Sequence, residues 1–373
     1  MNLYFDNAST SFPKPIALAR AMSDWLMGDG GTYGRAATPR VLHSVAQVER
    51  CRDLLTTMIG APIEKAENLI FTHNATHAAN LVLRGLHFSA ADRILVSPME
   101  HNAIMRPVEY LRVTDGVQYG TLPAMANGII DTKALDGIDT KGVKLVIVNH
   151  ISNVNGVCQP LTEIGAWAAA NDIEFMVDAS QSIGVAEINV ESQKIDYLIF
   201  TGHKALFGPM GTGGAWIGKP NKVEPLIYGG TGSNSASYSM PDYLPDRMQG
   251  GTPNVVGIVG LMASIDNRPE PLHTARDLEQ TIARIASRDG ITVYGAAGNS
   301  LFSLTHSLLS PSTIAEKLYN HYKIEVRAGL HCAPAAHRHL GTFPSGTVRI
   351  ATSPYHTVTD LEYLAQAIEK ICI

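Results

Sequence analysis

Cysteine is scarce in this sequence: four in 373 residues, too few for a disulfide framework. Cys51, Cys158, Cys332 and Cys372 lie far apart and form no CxxC pair, so mostly unpaired thiols in a reducing, cytoplasmic compartment are expected. An excess of one charge is also missing. Lys+Arg 29 against Asp+Glu 34 leaves a net charge of −5 with no basic run, which argues against a nucleic-acid partner. No apolar stretch approaches the roughly 18–20 residues of a membrane span. The opening MNLYFDNAST has neither the basic start nor the apolar core of a secretory signal. Internal repeats and low-complexity tracts are absent. Apolar side chains are what the sequence has: it is 45% hydrophobic and only 17% charged, enough for a substantial core and incompatible with wholesale disorder. A chain of 373 residues suggests two or three domains, with two favoured for an interleaved α/β pattern.

Short apolar runs alternate with longer helical patterns, as in a mainly parallel sheet with crossover helices. The pattern predicts strands at 69–71, 93–96, 117–120, 144–151, 174–178, 197–200 and 214–217. Helices are predicted at 75–86, 102–112 and 161–171. The run VKLVIVNHI is nearly all apolar, as expected of a strand buried on both faces. The polar stretch DNRPEP, from Asp266 to Pro271, reads as a boundary. Beyond it we expect a helix at 274–289, a strand at 291–294, a helix after Ser312, strands at 323–327 and 347–350, and a last helix. Thr359 and Glu362 have capping-box spacing at its start. The fold class expected is therefore a large α/β domain with a seven-stranded, mainly parallel sheet, followed by a smaller α+β domain.

Open parallel sheets place ligands outside the carboxyl ends of their strands. Asp178 ends the strand EFMVD, with Gln181 three residues on; Thr201, His203 and Lys204 follow DYLIF. Asn153 follows the strand ending at Ile151, and Thr72, Asn74 and Thr76 lie between a strand and a helix start. Singly, each has a bland explanation: a carboxylate there caps a helix as readily, and a loop lysine is ordinarily solvated. Their joint placement on one sheet edge is the signal. A buried lysine with a depressed pKa is a nucleophile toward aldehydes. A carboxylate can pair with a pyridinium nitrogen. The segment FTHNATHAANLVL offers hydroxyls and free N–H groups to a phosphate. These are the three parts of a pyridoxal 5'-phosphate (PLP) site. The glycine-rich GPMGTGGAWIG fits neither a dinucleotide fingerprint nor a P-loop. Cys332, His337 and His339 are close in sequence but lack a second ligand cluster, so no metal is expected.

The strings YFDNAS, FTHNATHAANLV, SPMEHNAIMRP, NHISNVNGV, MVDASQSIG, FTGHKALFGPMGTGG, GGTPNVVGIVGL, VRAGLHCAP and VRIATSPYHT run in order from residue 4 to residue 357. Through them the chain resembles the class V, PLP-dependent aminotransferase-fold enzymes, and within these the cysteine desulfurases. The resemblance implies the PLP-dependent transferase fold of type I, with 16–265 as the PLP-binding domain and 1–15 with 266–373 as the small domain. It implies Lys204 as the Schiff-base lysine, Asp178 on the pyridine nitrogen, Gln181 on the ring hydroxyl and His101 stacked on the ring. Ala75 (through its backbone), Thr76, Thr201 and His203 would bind the phosphate, and Asn153 would lie beside ring and substrate. Thr252 would reach the phosphate of a neighbouring subunit, which implies a homodimer. Arg349 would clamp the substrate carboxylate, and Cys332 would take up sulfur, its thiol assisted by His331 or Arg327. Lys204, Cys332 and His101 are thus the expected catalytic residues, with L-cysteine (or L-selenocysteine) as substrate and a sulfur-acceptor protein as partner. Gly329 and the 17-residue spacing between Cys332 and Arg349 resemble the short-loop desulfurase group. Three positions depart from the family pattern. Ala75 replaces a hydroxyl residue, His77 replaces an acid, and Thr38 falls where a substrate-side histidine is usual. A selenocysteine lyase, another lyase or epimerase of the same fold, and a non-catalytic sulfur-carrier binding module are the alternatives.

Overall fold

The computed structural model describes residues 3–295 and 298–372. After a short strand β1 (Leu3–Tyr4), seven strands form the main sheet: β2 (Leu69–Thr72), β3 (Arg93–Val96), β4 (Gln118–Thr121), β5 (Val143–Asn149), β6 (Glu174–Asp178), β7 (Tyr197–Thr201) and β8 (Gly213–Ile217). Their spatial order is β2-β8-β7-β6-β5-β3-β4. The run from β4 to β7 is parallel, and β8 is antiparallel to both of its neighbours. The helices are α1 (Ile16–Asp24), α2 (Pro39–Met58), α3 (Ala75–Gly85), α4 (Asn102–Thr114), α5 (Leu161–Ala170) and α6 (Val255–Asp266). Successive residues of a strand point to opposite faces, so a central strand feeds two cores at once. In β5, Val146 and Val148 join the core that includes Leu161 and Ile164 of α5 and Val255 and Ile258 of α6. Leu145 and Ile147 join the one that includes Leu81 and Val82 of α3 and Ile104 and Val108 of α4.

Next come α7 (Ala275–Ala286), β9 (Ile291–Tyr294), β10 (Leu301–His306), α8 (Pro311–Tyr322), β11 (Ile324–Glu325), β12 (Arg327–Gly329), α9 (Pro334–His339), β13 (Thr347–Ala351) and α10 (Val358–Ile371). A four-stranded antiparallel sheet, β12-β13-β10-β9, packs Phe302, Leu304, Val348 and Ile350 against α7, α8 and α10. β1 pairs parallel with β11, which places Phe5 in this second core.

Two expectations need correction, and one strand was not expected. The single strand at 323–327 is two. Lys323 ends α8 at φ 56, and β11 and β12 then enter different sheets. The last helix is capped two residues earlier, by Thr357, whose box partner is Asp360 rather than a glutamate. β10, an inner strand of the second sheet, was not anticipated from LFSLTH: its polar Ser303 hides among apolar neighbours by donating to the Val154 carbonyl at 2.6 Å.

Candidate active site

The carboxyl ends of β5, β6 and β7 and the start of α3 surround a cavity of about 280 Å³. Ala75, Thr76, His101, Asn153, Asp178, Gln181, Thr201, His203 and Lys204 all line it, together with Asn74, Ala103, Asn149 and Ser180. Thr252 does not. It is exposed and lines a separate groove with His73, His77, Gly211 and Gly250. Lys204 and Gln181 also border a larger cavity, about 450 Å³, with Asn7, Ser11 and Phe207 on its rim.

Each wall has a local cause. Asp178 ends a strand with no exposed residue, and Ser180 folds back on it: the Ser180 N–H and hydroxyl donate to Oδ1 at 2.9 and 2.5 Å. Asn74 caps α3 by accepting from the His77 N–H at 2.9 Å. The first N–H groups of a helix have no intrahelical partner. Ala75 and Thr76 therefore bring free donors and a positive helix end to the cavity. Asn149 Oδ1, Asn153 Oδ1 and His203 Nδ1 are buried without a hydrogen-bond partner among the described residues. The free N–H groups at the start of α3 and the Asp178 carboxylate suit a ligand that carries both an anion and a protonated nitrogen.

Burial pulls the Lys204 ammonium down to about 8; Asp178 opposes this, while Arg349 and Arg327 push the same way. A fraction of the amine is therefore unprotonated near neutral pH. Burial, helped by Lys204, lowers His101 to about 4, so its ring is neutral. Its Nδ1 accepts from the Ala103 N–H at 3.0 Å, which leaves the proton on Nε2. Burial and Lys204 likewise hold His203 neutral, at about 4.

The second sheet borders the larger cavity through Leu301 and Ala351; Arg349, Arg327 and Cys332 line neither cavity, though all three act on the charge of Lys204. Arg349, 1% exposed, donates through Nη2 to Asp6 Oδ1 at 2.6 Å and Ser9 Oγ at 2.8 Å, and through Nη1 to the Asn153 carbonyl at 3.0 Å. Its Nε is buried and has no partner among the described residues. Arg327 stands opposite Arg349 in the β12–β13 register and reaches Cys332 Sγ at 3.7 Å. Cys332 is exposed, and it and His331 are consecutive non-glycine residues in left-handed backbone, at φ 57 and 49. Two latches hold them there. The Asn102 N–H donates to the Cys332 carbonyl at 2.7 Å, and Asn153 Nδ2 donates to the His331 carbonyl at 2.8 Å.

Of the two residues expected to assist the thiol, only Arg327 touches it. The His331 ring is buried on Thr347 Oγ1 at 3.0 Å. His337 and His339 bond Thr342 and the Met125 carbonyl. Thr38 precedes α2 and is exposed, and His77 packs on His73.

Sequence reasoning missed three contributors. Glu100, fully buried, accepts from the Asn149 N–H and from Ser97 Oγ, both at 2.6 Å, and burial pushes it up to about 8. Asn149 lines the cavity one residue before His150. Residues 6–14 join the two sides of the site. Each contributor lies in a string quoted above: Glu100 in SPMEHNAIMRP, Asn149 at the start of NHISNVNGV, and residues 6–9 in YFDNAS.

The family model for class V aminotransferases matches residues 3–364. A probable cysteine desulfurase of Methanothermobacter thermautotrophicus is 32% identical, over 99% of this chain and 94% of the relative. The apo structure of a cysteine desulfurase from Thermococcus onnurineus NA1 superposes with a TM-score of 0.87 at 29% identity, covering 100% of this chain and 94% of the other. The cysteine desulfurase CsdA of Escherichia coli, solved as an S-sulfonic acid, gives 0.86 at 25% identity, covering 99% and 94%.

Proposed function

Since the chain belongs to the class V aminotransferase family, we propose that it is a PLP-dependent cysteine desulfurase, which converts L-cysteine to L-alanine and leaves the sulfur as a persulfide on Cys332. One observation carries the reading. A lysine and a carboxylate from neighbouring strand ends face one cavity with a helix N-terminus, and a thiol loop is latched to the same rim through Asn102. The domain division follows from it: 16–265 holds the cofactor, and 1–15 with 266–373 brings Cys332 and Arg349.

Lys204 would hold the PLP aldehyde, Asp178 the ring nitrogen and Gln181 the ring hydroxyl, with His101 over the ring. Ala75 N–H, Thr76, Thr201 and His203 would take the phosphate, and Thr252 would reach the site of a second subunit. Bound there, the cofactor supplies an electron-withdrawing ring that stabilises negative charge at the substrate α-carbon. Arg349 would receive the substrate carboxylate, while Asp6 and Ser9 keep the guanidinium oriented. Asn153 borders the same place. Lys204, unprotonated as a free amine, moves the proton at the α-carbon. The Cys332 sulfur, which reacts as thiolate, has Arg327 Nη2 3.7 Å away. It attacks the substrate sulfur. The S–S bond forms as the C–S bond breaks, the electron pair stays with carbon, and proton uptake there completes alanine. The persulfide then passes to an acceptor thiol, for which the exposure of Cys332 gives access.

Among the described residues no helix is long and apolar enough to cross a membrane. A cytoplasmic homodimer serving a sulfur-acceptor protein completes the proposal. The test is incubation with L-cysteine and with L-selenocysteine, measuring alanine with sulfide or selenide. Cys332→Ala should bind PLP normally yet form almost no alanine from cysteine. Mass spectrometry of the wild type should place one added sulfur on the RAGLHCAP peptide. Sulfur on Cys51, Cys158 or Cys372 instead, or an active Ala variant, defeats the desulfurase reading and leaves a lyase.

A further inference from the structure

Residues 6–14 touch Arg349, Arg327, Gln181 and the peptide that precedes Lys204. Ser9 Oγ accepts from Arg349 Nη2 and Arg327 Nη1, both at 2.8 Å. The Ala8 carbonyl accepts from Gln181 Nε2 at 2.9 Å. The carbonyl of His203, in the peptide just before Lys204, receives Thr10 Oγ1 at 3.1 Å, the Ser11 N–H at 3.1 Å and Ser11 Oγ at 3.2 Å. The shortest contact to this oxygen is Lys14 Nζ, at 2.7 Å, and the same ammonium donates to Ser11 Oγ at 2.8 Å. The segment is itself tied: Tyr4 Oη donates to the Thr10 carbonyl at 3.1 Å, and the Phe12 N–H donates to Asn7 Oδ1 at 3.0 Å.

Lys14 is unusual among these groups. It is half-buried, and among the described residues it is in no ion pair; burial pulls its ammonium down to about 8. A lysine recruited only for solubility would keep its head in water. This one places a charge on a carbonyl that already has neutral donors. A carbonyl has two lone pairs, and a charged donor holds one more tightly than a hydroxyl does. Fixing that oxygen fixes the plane of the His203–Lys204 peptide. The far side of Lys204 is fixed by its own carbonyl, which accepts from the Phe207 N–H at 2.9 Å. With both flanking peptides held, the Cα–Cβ direction of Lys204 is set toward the cavity.

We propose that Lys14 is a positioning residue for Lys204, acting through the His203 carbonyl, and that 6–14 thereby joins the lysine's orientation to that of Arg349. The proposal rests on Lys204 being the cofactor lysine.

The experiment uses holoenzyme loaded with PLP and compares Lys14→Met, Lys14→Arg and Thr10→Val. Three quantities are read: the rate of PLP release, the visible circular dichroism of the bound cofactor, and the thermal midpoint. Losing one charge-assisted hydrogen bond should speed release about tenfold in Lys14→Met. It should also weaken the dichroism per bound cofactor, and Lys14→Arg should restore both. Thr10→Val, which removes a neutral donor from the same oxygen, should shift both in the same direction by less, and it keeps the test decisive if Lys14→Met does not fold. Wild-type release and dichroism in Lys14→Met, or, if that variant does not fold, in Thr10→Val, overturn the proposal. So does a lowered thermal midpoint with both cofactor readouts intact. Should the wild type itself hold no PLP on Lys204, the functional reading fails instead, a result distinct from either.

Discussion

The two sides of the site, one carrying Lys204 and the other Cys332, are built by opposite means. The lysine side comes from strands buried on both faces, and its groups are fixed by close partners: Ser180 on Asp178, Ala103 on His101, residues 10–14 on the His203 carbonyl. The cysteine side is a loop between two antiparallel strands. Two successive residues sit in left-handed backbone, at roughly 1–2 kcal/mol each for a side chain other than glycine. Its thiol is exposed. The difference matches two tasks. Holding a cofactor benefits from a fixed, desolvated frame. Carrying sulfur outward needs a segment whose latches, Asn102 and Asn153, can be released.

The comparison breaks most severely at Lys204. Lys204→Ala should remove the covalently held cofactor and lower alanine formation about a thousandfold or more, with the thermal midpoint almost unchanged. A reducible PLP imine surviving at the site would put the lysine elsewhere. Arg349→Lys keeps a charge beside Asp6 but loses the fork, so KM for cysteine should rise about tenfold to a hundredfold. An unchanged KM would detach the cysteine side from substrate binding.

A smaller effect sharpens the lysine side. PLP capture by apoprotein needs the free amine, and the folded pKa of Lys204 lies near 8, below the ordinary 10.5. The capture rate should therefore climb about tenfold per pH unit below 8 and level off above it. A climb continuing toward 10.5 would mean that the site does not desolvate its lysine. Smallest is Thr252→Ala, with PLP affinity falling about fivefold and sedimentation still reporting a dimer. A fully active monomer would remove the shared-site reading.

The lysine side was legible in the sequence because its parts are local. A strand that ends in Asp178, a strand followed by Lys204 and a helix opening at Ala75 each announce themselves within a few residues. The sheet's own geometry brings the three together. The cysteine side was legible only in its residue types. His331 and Arg327 lie within five residues of Cys332, and either qualified as helper. The left-handed turn at 331 and 332, the burial of His331 on Thr347 and the pairing of β12 with β13 leave Arg327, and not the His331 ring, within reach of the sulfur. β10 and the true cap of α10 were missed where local pattern was weak.

From the sequence alone came the alternation of elements, the sheet edge that carries the chemistry, and the family strings with Lys204, Asp178, Cys332 and Arg349. Those follow from short-range periodicity and from residue chemistry, which a linear chain displays directly. The partnership of residues 6–14 with both sides did not. Lys14 meets the His203 carbonyl across 189 residues, and Asp6 meets Arg349 across 343. Nothing local in YFDNAS or in FPKP specifies such contacts. They exist because β1 pairs with β11 and anchors Phe5 in the second core, which delivers the following residues to the place where the two sheets face one cavity.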